Sequence, residues 1–162
     1  MSVSPTKPYL PANEFRNELQ LRRRTTAHII PPMKAVHFGI EEVWVEEARI
    51  KMIDPERTLL DGLMAPHYCG DFSEVLHAFE MRKSKLDLQR IIGYALKLDA
   101  ATAKRLGWVL EHQGVKASRL KELQAVPIKG YRVLDPTGPR RGPCNSRWMI
   151  QENLPGTVIE VE

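Results

Sequence analysis

The sequence predicts an α+β protein: a small antiparallel sheet followed by a bundle of four to five helices, with a C-terminal strand returning to the sheet. Three observations predict it. Between Ile53 and Gly114, apolar residues recur at helical spacing in four short runs, each opened by an aspartate. Short segments rich in β-branched residues come before this stretch, as strands would. After it the chain is rich in Pro and Gly, with two further strand-like stretches.

Taken in order, residues 1–24 read as an extended basic arm. Pro5, Pro8 and Pro11 break its start, and Phe15–Leu21 is compatible with a short helix or the beginning of a strand. Arg22, Arg23 and Arg24 form a basic triplet, suited to phosphate contacts or simply to an exposed edge. Thr25–Ile30 reads as a strand, stopped by Pro31 and Pro32. Val36–Phe38, Val43–Val45 and Ala48–Ile53 read as further strands. Glu46–Glu47 falls where a tight turn between the last two belongs, although it lacks the usual Gly or Asn. Trp44 is expected to pack in the core or against a helix.

The helices follow. Asp54 suits an N-cap and Pro55 the first helical position, with Leu59, Leu60, Leu63 and Met64 on one face. Pro66 and Gly70 end that helix. Asp71 opens the next, whose Phe72, Val75, Leu76 and Phe79 give the strongest periodic signal in the chain. Asp87 opens the third, with Leu88, Ile91, Ile92, Ala95 and Leu96. Asp99 opens the fourth, with Ala103, Leu106, Gly107 and Leu110, and Gly114 lies just past its end. Gly107 costs about 1 kcal/mol inside a helix relative to Ala, which points to a close helix crossing there. Short connections should place consecutive helices side by side. Lys116–Leu123 adds a helical turn or two, and Tyr131–Leu134 reads as a strand. The loop DPTGPRRG (135–142) carries Arg140 and Arg141, Asn145–Ile150 reads as a last strand, and 153–162 is a tail.

The chain has 162 residues, enough for one domain with a real core. No apolar run approaches the roughly 18–20 residues of a membrane span. Cys69 and Cys144 stand alone, so no disulfide framework is argued and a cytoplasmic location is expected. Net charge is +4 and uneven. Residues 1–34 carry six Lys/Arg against two acids, residues 116–162 eight against five, and the middle ten against thirteen. Basic ends suit an anionic partner; they are equally compatible with a solvated surface of uneven charge.

Chemistry is harder to find. His67 and Cys69 lack the further ligands that a metal site needs. His28, His37, His77 and His112 are scattered. No glycine-rich phosphate loop occurs. Asp54, Asp71 and Asp87 are better explained as helix caps than as paired carboxylates, and Arg57 with Asp61 makes an i, i+4 pair. Arg82, Lys83 and Lys85 lie in a turn, so no helix reads as a DNA-recognition helix. No cofactor is expected, and the chain reads as non-enzymatic.

Four stretches in order carry a resemblance: FGIEEVWV (38–45), DPERTLLDGL (54–63), AKRLGWVLE (103–111), and YRVLDPTGP with NSRW (131–139, 145–148). Together they resemble the C-terminal domain of AbiEi-type antitoxins, transcriptional regulators of bacterial abortive-infection systems, over roughly residues 25–150, with the antitoxin domain at 25–152. The resemblance implies a type IV toxin–antitoxin system whose toxin is a nucleotidyltransferase-like protein encoded beside it. Arg57, Thr58 and Asp61 match the family's RT…D signature. Arg105, Gly107 and Glu111 match its RLG…LE run, and Asn145, Arg147 and Trp148 its N-x-R-W ending. None is implied to be catalytic, and most are expected to hold the fold: Trp148 as a core anchor, Arg105 and Glu111 as surface ion-pair members. In that family an N-terminal winged helix-turn-helix binds operator DNA. Residues 1–35 are too few and too proline-broken to hold one, so that half is expected to be missing. The alternative is a nucleic-acid-binding regulator that uses Arg22, Arg23, Arg24, Arg140, Arg141 and Arg147 on DNA or RNA. No oligomeric state is legible.

Overall fold

A computed structural model describes residues 19–21, 25–27 and 38–155. The chain divides into two compact units, Met1–Val36 and His37–Glu162. In the first, β1 (Leu19–Leu21) pairs antiparallel with β2 (Thr25–Ala27). Arg22–Arg24 and residues 28–37 lie outside the described residues, and with them most of the strand expected at 36–38; Phe38 is described and is not part of a strand.

The second unit begins with a hairpin. β3 (Ile40–Val45) and β4 (Ala48–Ile53) pair antiparallel in full register, from Ile40 opposite Ile53 to Val45 opposite Ala48. The expected turn at Glu46–Glu47 is present. Without Gly or Asn, Glu46 itself takes the left-handed conformation, at φ +54°. β4 alternates apolar and charged residues through Ala48–Met52, and β3 is rich in β-branched and aromatic residues, both of which suit a pleated surface. Neither contains a buried residue.

Five helices follow: α1 (Pro55–Met64), α2 (Phe72–Arg82), α3 (Leu88–Lys97), α4 (Ala100–His112) and the short α5 (Lys121–Ala125). Each of the first four starts where the sequence places an aspartate. The carboxylates of Asp54, Asp71, Asp87 and Asp99 accept from the backbone N–H three residues on, at 2.8–3.0 Å. Each supplies a partner to a first-turn donor that would otherwise have none. At Asp71 the Ser73 hydroxyl, and then the Glu74 N–H, hold the carboxyl below its ordinary range.

The faces expected from periodicity form the core. Leu59, Leu60 and Leu63 of α1 meet Phe72, Val75 and Phe79 of α2, Ile91, Ile92 and Ala95 of α3, and Leu106 and Leu110 of α4. α1 packs on α2, α3 and α4 and is the centre of the bundle, while α4 also supports α5 and the last strand. Leu96, expected on the buried face of α3, is instead exposed at the helix's end.

The tail closes on the bundle as its own sheet. β5 (Arg132–Val133) runs parallel to β7 (Ile150–Gln151), and β6 (Cys144–Asn145) runs antiparallel to it. The α+β class is as expected, with one correction. The C-terminal strands do not rejoin the first hairpin; they make a separate three-stranded sheet against α4. The single strand expected at Asn145–Ile150 is broken by a turn, in which Met149 adopts φ +54°. That turn lets β6 and β7 pair with each other.

Candidate functional site

The motif residues gather at two places. The first is the start of α1. Arg57 lies one turn into the helix, buried to 3% exposure, and its Nε donates to Asp61 Oδ1 at 2.8 Å. Its guanidinium carbon sits 4.5 Å from the centre of the Phe38 ring, a cation–π contact. Thr58 donates its hydroxyl to the Asp54 carbonyl at 2.9 Å, so it reinforces the cap. Asp54 serves twice, because its second oxygen accepts from the Tyr94 hydroxyl at 2.7 Å. Burial, and then this hydrogen bond, push the Tyr94 phenol above its ordinary range. Gly39 is needed here: its φ is +69°, and a Cβ on it would lie 2.7 Å from Arg57 Cβ.

Beside Arg57, Glu56 is also buried. It accepts the Asp87 N–H at 3.1 Å and lies 3.8 Å from both Arg82 and Arg90. Arg57 Nη1 and Arg82 Nε are buried without a hydrogen-bond partner among the described residues. Four acids (Asp54, Glu56, Asp61, Asp87) and four bases (Arg57, Arg82, Arg90, Lys97) occupy this end, so it carries no excess charge for an ionic ligand.

The second place is a lock between α4 and the tail. Trp148 is fully buried. Its ring lies flat against Gly107, where an added Cβ would come within 2.0 Å of Trp148 Cζ3. Gly107 therefore admits an indole from the tail, not a neighbouring helix as its place in the sequence suggested. The Trp148 indole N–H donates to Glu111 Oε2 at 2.6 Å, and the other Glu111 oxygen holds Arg147 at 2.8 Å. Asn145 accepts the Trp148 backbone N–H at 3.3 Å and donates to Glu152 at 3.1 Å. Glu152 in turn accepts the Trp108 indole N–H at 2.7 Å.

Two expectations for this lock need adjusting. Arg105 is not a surface ion-pair member: it is buried and donates to the Val133 carbonyl at 3.1 Å, anchoring β5. Desolvation lowers its pKa, and Asp99 and then Asp135 oppose that. Glu111 is indeed in an ion pair, but with Arg147 and while bonded to a buried indole.

Sequence reasoning missed several residues that complete these arrangements. Asn153 holds the 135–139 loop with three hydrogen bonds: its side-chain oxygen accepts from Asp135 N–H at 2.8 Å, and its amide donates to the carbonyls of Asp135 at 2.9 Å and Pro139 at 3.0 Å. Lys104 is buried, with its ammonium on the Gln124 carbonyl at 2.5 Å near the end of α5. Burial lowers its pKa. Trp108 was within reach of the sequence, since it stands inside the RLGW run; nothing in the sequence ties Asn153 to position 135.

A cavity of about 240 Å³ opens between α1 and α2, lined by Thr58, Leu59, Gly62, Cys69, Glu74, Val75 and Ala78. Burial, and then nearby Asp61, raise the pKa of the Cys69 thiol. That keeps it protonated and a poor nucleophile. Among the described residues, no group of three or more His, Cys, Asp or Glu is placed to hold a metal ion. No described helix is long and apolar enough to cross a membrane. Of the basic residues singled out, Arg140 and Arg141 are exposed, whereas Arg147 is held by Glu111. Comparison with known protein families, curated proteins and solved structures finds no match.

Proposed function

We propose that this chain is the antitoxin domain of a bacterial type IV toxin–antitoxin system, a cytoplasmic, non-catalytic protein that opposes a nucleotidyltransferase-like toxin. The observation that carries the reading is the ordered set of motif stretches. What supports it in the fold is where those residues go. Arg57, Thr58 and Asp61 build the start of α1, while Arg105, Gly107, Glu111, Asn145, Arg147 and Trp148 close the tail onto α4. A signature spent on holding a scaffold suits a protein that acts by recognition.

The test is co-expression with the toxin encoded beside this chain. Growth should recover when the intact protein is present. Persistent toxicity with the chain abundant in the cell extract overturns the reading.

A second reading is favoured by one observation. Lys116, Arg119, Lys121, Arg132, Arg140 and Arg141 are exposed and have no ion-pair partner among the described residues. Such unpaired bases suit phosphate contacts. Binding to a DNA or RNA duplex should then fall steeply with salt, and absence of any shift at low salt removes this reading.

A further inference from the structure

The β3–β4 hairpin has the composition of an interface. Residues directly opposite each other share a face, so Val45 with Ala48, Val43 with Ile50, and Glu41 with Met52 lie on one side. Along that side run Val43, Val45, Ala48, Ile50 and Met52, a continuous apolar stripe. Val45, Ile50 and Met52 are each more than 40% exposed. The opposite side is mixed: Ile40, Trp44 and Ile53 are exposed there too, but Glu42, Arg49 and Lys51 stand among them and break the apolar run. Arg49 lies 5.0 Å from the centre of the Trp44 ring and 3.4 Å from Glu42. A two-stranded sheet alone is marginal in water, and a long apolar face without a covering layer is a mark of docking.

Charge says what kind of partner fits. The stripe ends in acids at both extremities: Glu41 at the base, Glu46 and Glu47 at the turn. None of the three has a cationic partner among the described residues. A second copy of this chain would bring acids against acids. We propose that this face docks a segment of a partner protein that is apolar along one side and carries Lys or Arg at both ends. An extended segment with alternating apolar residues presents such a side, and laid across the face it sets them against Val43, Ile50 and Met52. The proposal is independent of the antitoxin reading: a chain that fails to rescue a toxin would still bind such a segment.

The test uses the full chain and a fluorescein-labelled peptide of alternating Val and Thr with Lys-Lys at both ends. Controls are the same peptide with Glu-Glu ends, and a version with its Val and Thr order shuffled. Binding should be confined to the Lys-ended alternating peptide and should weaken with salt. Ile50→Glu should weaken it by about tenfold or more, whereas Lys51→Ala on the other side should leave it unchanged. Reversing the three acids together (Glu41→Lys, Glu46→Lys, Glu47→Lys) keeps the apolar stripe and should switch preference to the Glu-ended peptide. That variant keeps the test decisive if Ile50→Glu disturbs the hairpin. Equal binding of both peptides, no binding, or no switch overturns the proposal. So does a concentration-dependent dimer in sedimentation that Ile50→Glu dissolves, which would assign the face to a second copy.

Discussion

Trp44 and Trp148 belong to one unit and meet opposite fates. Trp148 is fully buried, its N–H is bonded to Glu111, and its ring fills the space left by the missing side chain of Gly107. Trp44 is 65% exposed on the hairpin, with Arg49 over its face. The same contrast holds around them. The lock at the tail satisfies its polar groups side chain by side chain, through Asn145, Arg147, Glu152 and Asn153. The hairpin leaves an apolar side open to water. The difference teaches that the helices and tail complete their own packing, whereas the hairpin leaves apolar side chains exposed.

Substitutions can break or sharpen that contrast. The largest effect should come from Gly107→Ala, whose methyl would collide with the Trp148 ring and expel it. A loss of about 3–5 kcal/mol in urea unfolding is expected, the scale of removing a large aromatic from a core. Because the fault is shared, adding Trp148→Leu to Gly107→Ala should cost less than the two separate losses combined.

Next comes a pH effect on the buried side of α4. The folded-state pKa of Lys104 is depressed, so the unfolded chain holds that proton more tightly. Stability should therefore rise as pH climbs through the depressed value toward the ordinary lysine range, where the penalty for burying the charge has gone. Lys104→Met should flatten that rise. Urea midpoints of the two proteins across the alkaline range measure the difference, and subtraction removes titrations the two share, such as that of Tyr94.

On the hairpin the effects should be smaller. Glu46→Gly removes the cost of a left-handed non-glycine residue and should stabilise by about 0.5–1 kcal/mol, read in thermal unfolding. Trp44→Ala should cost no more than about 0.5–1 kcal/mol, the worth of an exposed cation–π contact. A cost near that of emptying the Trp148 site would show that the hairpin is covered after all and erase the contrast.

What the sequence reveals and conceals follows the reach of each interaction. The four aspartate caps span three residues, so the order of residues is enough to find them. The faces of α1 to α4 follow from periodicity, because a core on one side of a helix imposes it. Asp61 beneath Arg57 is likewise local. Gly107 with Trp148 is not. Their contact joins positions far apart in the chain, and a glycine inside a helix says only that something comes close. The strand-forming residues of β3 and β4 show that each strand has two sides, but cannot say which side has a neighbour, and so Trp44 was expected inside. Arg105 was misplaced for the same reason: its acceptor is the backbone carbonyl of Val133, which no side-chain pattern announces.

Leaving one indole in water while burying two others has an optical consequence. Trp108 and Trp148 sit in the folded interior, and their emission should be blue-shifted and shielded from a dissolved quencher. Trp44 should emit to the red and be quenched first. Quenching of the red component then reports on the hairpin alone, while the blue component reports on the integrity of the bundle, so occupancy of one and melting of the other become separable in a single unlabelled sample.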